Sequence, residues 1–230
     1  MDSERVVHRE ESFDRPPTLV ATDPQTRERV ELERVDGDIP DDLTVERRTV
    51  ESTDGATVPL FLCYRGDLSD DDERPTILHG YGGFRSSRTP SFDRFRVPFL
   101  SDCGVFAQVC ARGGQEYGEP WHEAGMGDRK QHTFDDFLAA ARYLCDAEVT
   151  APDRLAVTGR SNGGLSVGAV LTQAPDLFGA AVCDVPLLDM LRYHEFGMGS
   201  AWTSEYGDPD DPAAFETLRA YSPYHNVDTG

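Results

Sequence analysis

Residues 155–164 read Leu155-Ala156-Val157-Thr158-Gly159-Arg160-Ser161-Asn162-Gly163-Gly164, a short apolar run that leads into a glycine-rich turn. The run predicts a buried strand, and residues 161–173 predict a helix directly after the turn. Gly-x-Ser-x-Gly between a strand and a helix is typical of a nucleophile elbow, because so tight a turn needs small flanking residues. Ser161 is therefore the candidate nucleophile. The alternative is a glycine-rich connection without chemistry.

A second glycine-rich segment, His79-Gly80-Tyr81-Gly82-Gly83, follows an apolar strand predicted at 75–79. In folds with such an elbow, one oxyanion donor is the backbone N–H after the nucleophile, here that of Asn162. The other donor comes from a loop that follows an earlier strand. Glycines let that loop approach a substrate closely. Alone the segment would be an ordinary turn, but together with the elbow it predicts an oxyanion site.

Strands and helices alternate along most of the chain. The sequence predicts a hairpin within 18–33, antiparallel strands at 43–50 and 58–64, further strands at 75–79, 105–111, 155–158 and 180–185, and helices at 92–103, 133–148, 161–173, 187–196 and 213–221. This order predicts an α/β fold, a mostly parallel sheet with helices on both faces.

The chain is strongly acidic, with 42 Asp and Glu against 22 Lys and Arg and a net charge of −20. A nucleic acid would be repelled, so nucleic-acid binding is not expected. Lys130 is the only lysine, which leaves 22 − 1 = 21 arginines. Scattered acid with almost no lysine is typical of proteins from salt-loving archaea and predicts a halophilic source.

Five cysteines without CxxC spacing indicate reduced thiols in a cytoplasmic protein. The first residues contain no apolar segment of a signal peptide, and no apolar run approaches the length of a membrane span. Histidines with metal-ligand spacing are lacking as well. The sequence thus predicts a cytoplasmic location, no membrane partner, no cofactor and no metal.

The motifs occur in order along roughly residues 45–227 and resemble those of the prolyl oligopeptidase family. The similar stretches are Gly80-Tyr81-Gly82-Gly83-Phe84, residues 111–119, Thr133-Phe134-Asp135-Asp136-Phe137, residues 159–165, Pro175-Asp176-Leu177-Phe178, residues 201–207 and residues 221–226. The resemblance implies the α/β-hydrolase fold and a serine peptidase. Gln115 departs from the family pattern, where a third glycine is usual.

The resemblance also implies roles for individual residues. Ser161 would attack the carbonyl that follows proline in short peptides, and the Tyr81 hydroxyl and the Asn162 N–H would bind the oxyanion. The implied apolar pocket for the proline ring consists of Phe84, Leu187, Trp202 and Tyr206. For Trp202 and Tyr206, plain core packing is the alternative. Within the family, Asn162 and Trp202 favour the branch that cleaves after proline over the branch that cleaves after Lys or Arg.

Two domains are expected from the same resemblance. Residues 1–42 resemble the last strands and linker of a β-propeller, and residues 43–230 resemble an α/β-hydrolase domain that is incomplete at its C-terminus. The triad order in this fold is Ser, then Asp or Glu, then His. In members of the family the acid and the histidine lie on loops beyond further strands, so the resemblance implies that both are absent from residues 1–230. Asp184, His194 and His225 are weak substitutes. We therefore expect impaired catalysis and an exposed sheet edge prone to association.

Two other functions stay open at this point. A carboxylesterase-like α/β-hydrolase would share the elbow, although the expected pocket of Phe84 and Trp202 favours a peptidase. A non-catalytic fragment that binds peptides through the same pocket is the third reading, and the missing triad members favour it.

Overall fold

The N-terminal part of the chain forms a small antiparallel sheet. In the computed structural model, which describes residues 5–37, 39–68 and 73–227, the strands are β1 (Val6–Ser12), β2 (Arg15–Thr22) and β3 (Arg29–Arg34), in the order β1-β2-β3. The predicted hairpin is confirmed as β2 and β3, and β1 adds a strand that the sequence did not predict. The assignment of residues 1–42 to a β-propeller remnant stays a prediction.

A six-stranded mixed sheet forms the main body of the molecule. Its strands are β4 (Leu43–Glu51), β5 (Thr57–Arg65), β6 (Thr76–Gly80), β7 (Val105–Val109), β8 (Leu155–Arg160) and β9 (Ala180–Asp184), in the order β4-β5-β7-β6-β8-β9. The β4–β5 and β5–β7 pairs are antiparallel, and β7, β6, β8 and β9 are mutually parallel. The predicted α/β-hydrolase architecture is confirmed, and all six predicted strands of this sheet are present.

Six α-helices occur in the described part of the chain: α1 (Val97–Ser101), α2 (Glu119–Glu123), α3 (Gln131–Asp146), α4 (Asn162–Gln173), α5 (Thr203–Tyr206) and α6 (Pro212–Tyr221). Helices α3 and α4 pack together on one face of the main sheet, and α1 contacts strands β5 and β7. None of these helices is long and apolar enough to cross a membrane.

Alternate residues of β7 point into two separate apolar clusters. Val105 and Ala107 belong to the larger core beneath α3 and α4, whereas Phe106 belongs to a smaller cluster with Leu100 of α1. Phe13, from the turn between β1 and β2, stacks edge-to-face on Phe106 with ring centroids 5.5 Å apart. The small sheet is thereby attached to the second face of the main sheet.

Two predicted helices are wrong in extent. Only Val97–Ser101 is helical within 92–103, because the Asp93 carboxylate accepts the Phe95 N–H and forms a turn instead. Within 187–196 the only regular structure is the short 3₁₀ turn Tyr193–Glu195. There the distant Ser222 hydroxyl accepts the Met190 N–H, so the backbone hydrogen-bonds outside its own segment.

Strand β9 is the last strand at its side of the sheet, and its side chains are partly uncovered. Val182 is 58% exposed, and Val185, just after the strand, is 61% exposed. An apolar edge of this kind is prone to pairing with another chain. Association through this edge stays a prediction.

Candidate active site

The elbow at Ser161 has a strained backbone. Ser161 has φ 56° and ψ −118°, values that non-glycine residues rarely adopt and that occur at functional sites held by their surroundings. Its N–H donates to the Asp184 carbonyl at 2.9 Å, and its side chain is exposed. A Cβ on Gly159 would lie 2.3 Å from the Gly163 carbonyl oxygen, so the turn requires glycine there. The predicted elbow geometry is thus present.

The loop that follows β6, residues 81–85 and here called the Tyr81 loop, packs directly against the first turn of α4. The Asn162 side-chain amide donates to the Tyr81 carbonyl at 2.6 Å and accepts from the Tyr206 hydroxyl at 3.0 Å. The Asn162 backbone N–H lies in the first helical turn, where it has no acceptor within its own helix. Asn162 therefore joins the loop, the elbow and Tyr206, in addition to the backbone role predicted for it.

The four residues predicted for the proline pocket lie in three segments. The exposed Phe84 ring meets the Tyr206 ring edge-to-face, with centroids 5.6 Å apart. Trp202 is half-buried and directly precedes α5, which contains Tyr206. Leu187 is half-buried beside Pro186, and a Cβ on Gly164 of α4 would lie 3.0 Å from the Pro186 Cβ.

Tyr206 is only 1% exposed, and burial raises the pKa of its hydroxyl well above the usual value. Its hydroxyl therefore stays a hydrogen-bond donor to Asn162 at neutral pH. The ring of Tyr206 is buried, as the alternative of plain core packing also predicts. The hydroxyl and the contact with Phe84 tie that ring to the site.

Arg88 contacts the predicted oxyanion residue but was not among the predicted site residues. Its guanidinium carbon lies 4.6 Å from the centroid of the Tyr81 ring, a cation–π contact. The Arg88 N–H donates to Glu116 at 2.6 Å, which fixes the backbone beneath that contact. An arginine seven residues after a tyrosine carries no sequence signal for such stacking.

The residues considered as triad substitutes are engaged elsewhere. The Asp184 carboxylate binds Arg160, His194 lies 3.9 Å from Asp210, and His225 Nδ1 is 2.9 Å from the Ser222 hydroxyl. Within residues 5–37, 39–68 and 73–227, no side chain hydrogen-bonds Ser161 Oγ. The same described residues contain no group of three His, Cys, Asp or Glu arranged to hold a metal ion.

A buried cationic group lies behind the Tyr81 loop. The Lys130 side chain is fully buried and donates to the Gly82 carbonyl at 2.7 Å. Burial lowers the pKa of the Lys130 amine from 10.5 to about 8, and Glu205 partly opposes the shift. Lys130 was not among the predicted site residues, although it is the only lysine in the chain.

This depressed pKa predicts that the free energy of unfolding rises with pH. Between the folded value of about 8 and the unfolded value of 10.5, the unfolded chain binds more protons, so deprotonation favours the folded state. We expect a gain of about 1–2 kcal/mol from pH 7 to 9.5 in the wild type relative to Lys130→Met. Urea denaturation of both proteins at each pH measures this gain. Both proteins contain the same tyrosines, so the contribution of tyrosine titration cancels in the difference between them. Parallel pH profiles would contradict the prediction.

A strained serine at a strand-to-helix turn, with a glycine-rich loop beside it on a mostly parallel sheet, defines the site of an α/β-hydrolase. The chain belongs to the prolyl oligopeptidase family, whose profile matches residues 90–229. The chain is 42% identical over 192 residues to the prolyl endopeptidase of Elizabethkingia meningoseptica. These aligned residues make up 83% of this chain and 27% of that protein.

Other relatives agree with this assignment. Prolyl oligopeptidase A of Galerina marginata is 45% identical over 179 residues, which is 77% of this chain and 24% of the relative. A structure from a study of two prolyl endopeptidases superposes with a TM-score of 0.94 at 46% identity, covering 98% of this chain and 34% of that one. The chain thus spans about a quarter of the length of the curated relatives it matches.

Proposed function

We propose that this chain supplies the nucleophile, the oxyanion site and the proline pocket of a serine peptidase that cleaves short peptides after proline. The observation that carries the proposal is the continuous contact from the elbow through Asn162 to Tyr206 and Phe84. Through this contact, the aromatic side chains of Tyr206 and Phe84 lie beside the first turn of α4, which begins directly after Ser161. An aromatic wall suits the flat apolar ring of proline.

In the proposed reaction, Ser161 Oγ attacks the carbonyl carbon of the proline residue and gives its proton, through a base, to the leaving amine as the C–N bond breaks. Water then hydrolyses the resulting acyl-enzyme and restores the Ser161 hydroxyl. The Asn162 N–H and the Tyr81 hydroxyl stabilise the oxyanion. Such donors contribute most when they are fixed before the reaction. The hydrogen bond from Asn162 to the Tyr81 carbonyl and the Arg88 contact with the Tyr81 ring supply this rigidity.

Turnover also needs a base that accepts the Ser161 proton. Because none of the described residues bonds Ser161 Oγ, we propose that residues 1–230 alone turn over substrate poorly. In serine hydrolases that lack triad members, the oxyanion site and binding still give some catalysis. Proline-containing peptides are the proposed partners.

The carboxylesterase and the non-catalytic binding function are the alternatives. A fluorophosphonate probe distinguishes the non-catalytic alternative from the two enzymatic functions, because an unactivated serine reacts slowly or not at all. The pocket contact between Phe84 and Tyr206 favours a peptide substrate over a simple ester.

A cytoplasmic location is proposed from the reduced cysteines, all five of which are unpaired. Burial raises the pKa of Cys63 and of Cys110 to about 12, which keeps both thiols protonated and unreactive. The halophilic source stays a prediction from composition.

Binding of a proline peptide tests the proposal without requiring turnover. We expect N-acetyl-Gly-Pro-amide to bind residues 1–230 about tenfold more tightly than N-acetyl-Gly-Lys-amide, measured by isothermal titration calorimetry. Trp202→Ala should weaken proline-peptide binding about tenfold, since it removes the ring predicted to stack on proline. The matched control is Trp121→Ala, the same change at the other tryptophan, which should leave the affinity unchanged. Equal affinity for both peptides, or an unaffected Trp202→Ala, would refute the proposed pocket.

A further inference from the structure

Three charged or titratable side chains are buried together behind the candidate pocket. Lys130 is 0% exposed, His122 is 2% exposed and Glu205 is 5% exposed. None of them has a part in the proposed chemistry. Burying charges is unfavourable unless partners compensate them, so their contacts indicate what the arrangement holds in place.

Lys130 and Glu205 both bind the backbone of the Tyr81 loop. Lys130 Nζ donates to the Gly82 carbonyl at 2.7 Å, and Glu205 Oε1 accepts the Phe84 N–H at 2.9 Å. The two side chains also form an ion pair, with Lys130 Nζ 3.7 Å from Glu205 Oε1. Two backbone groups, two residues apart in one loop, are thereby fixed by one buried ion pair.

Glu205 also connects this loop to the other side of the pocket. It lies in α5, next to Tyr206, and its second oxygen, Oε2, is 2.8 Å from His122 Nε2. The Lys130 ammonium lies 5.6 Å from the centroid of the Tyr206 ring. The ion pair therefore joins the loop that contains Tyr81 and Phe84 to the segment that contains Trp202 and Tyr206.

The bound loop has an unfavourable backbone that needs such support. Phe84 and Arg85 have φ of 53° and 54°, and Gly82 has φ of 66°. Consecutive non-glycine residues in the left-handed region are strained and persist only where their surroundings hold them. The hydrogen bond from the Phe84 N–H to a buried carboxylate is charge-assisted, so it is stronger than a neutral one.

We propose that Lys130 and Glu205 are positioning residues that hold Phe84 and Tyr81 in register with the Trp202–Tyr206 segment. The inference rests on the proposed function, because it assigns these residues to the proline pocket. A buried ion pair contributes little net stability compared with apolar packing, so fixing one loop conformation is its effect here. Loss of either charge lets Phe84 relax from its strained backbone and opens the pocket.

Amide hydrogen exchange followed by NMR tests the loop directly in residues 1–230. The variants are Glu205→Gln and Lys130→Met, with the double variant as the form in which no buried charge is left unpaired. We expect exchange of the Phe84 amide to accelerate at least about tenfold in each variant, since one charge-assisted hydrogen bond or its support is lost. Exchange at Leu78 and Val157, in the central strands, should accelerate by a clearly smaller factor than exchange at Phe84, since these amides report the global loss of stability that an unpaired buried charge causes. Affinity for N-acetyl-Gly-Pro-amide should fall about tenfold.

The matched control is Glu28→Gln, the same change at an exposed carboxylate that pairs with Arg5 in the small N-terminal sheet, away from the loop and from the buried cluster. It should alter neither the exchange of Phe84 nor peptide affinity. Unchanged Phe84 exchange, or equal acceleration at Leu78, would overturn the positioning role. Another outcome is that the wild type does not bind the proline peptide while the variants still show exchange that accelerates most at Phe84. That result would support the positioning of the loop but would refute the proposed function. If the single variants do not fold, the double variant decides by the same measurement.

Discussion

Arg112→Met is expected to lower the free energy of unfolding by about 3–5 kcal/mol, because it leaves a buried carboxylate without its counter-ion. Arg112 Nη2 donates to Asp136 Oδ1 at 2.6 Å, and the side chains are 4% and 0% exposed. The Arg112 N–H also donates to Asp136 Oδ2 at 2.9 Å. Removing the guanidinium breaks its three hydrogen bonds to a carboxylate that water cannot reach, and only the backbone bond from residue 112 remains.

The same guanidinium connects the β4–β5 turn to this buried pair. It donates to the Ser52 hydroxyl at 3.1 Å and binds the Asp54 carboxylate, whose pKa it lowers to about 2. Burial raises the pKa of Asp136, an effect that Arg112 partly opposes. In Arg112→Met that pKa should therefore rise further, so that Asp136 takes up a proton at a higher pH than in the wild type.

Chemical denaturation of the wild type and the variant measures the loss. Arg65→Met is the control, since Arg65 pairs with Asp42 at 2.7 Å but both side chains are about half exposed. An exposed pair contributes about 0–1 kcal/mol, so this control should change stability little. Losses of similar size in the two variants would contradict the role assigned to the buried pair.

Much of the fold could be predicted because its signals are local. The apolar runs of β6, β7 and β8 lie within single segments, and the elbow is defined by Gly159-x-Ser161-x-Gly163. Residues 187–196 have a helical pattern, yet Ser222 binds the backbone at Met190 from far along the chain. A tertiary hydrogen bond of this kind overrides the local preference for a helix, and the local sequence pattern does not predict it.

The site was predictable only in part, for the same reason. The motifs identify Ser161, and the family resemblance supplied the roles proposed for Tyr81 and Trp202. Lys130 and Glu205 are distant in sequence and meet only because α5 folds back over the Tyr81 loop. Being the single lysine in the chain was the one signal that could have drawn attention to Lys130.

Gly163→Ala is expected to destabilise the fold by about 3 kcal/mol, at the upper end of the usual effect of overpacking. Gly163 lies in the first turn of α4 and has no positive φ, so helix propensity alone would favour alanine by about 1 kcal/mol. A Cβ there would, however, lie 2.5 Å from the Gly80 carbonyl oxygen and 3.5 Å from the Tyr81 Cα. Since the obstacle is backbone, the elbow and the Tyr81 loop must move apart.

Gly127→Ala is the control that separates close approach from the loss of a glycine as such. Gly127 has φ of 56°, and apart from its chain neighbours no described atom lies within 4 Å of the position that a Cβ would take, so its substitution should cost only about 1 kcal/mol of left-handed strain. Thermal and urea denaturation should therefore show that Gly163→Ala is clearly less stable than Gly127→Ala. The reverse order would mean that α4 can shift away from the strand end without loss. In that case the distance between Ser161 and the predicted oxyanion loop is not fixed by backbone contact, and the rigidity that oxyanion stabilisation requires would have to come from the side chains of Asn162 and Arg88 alone.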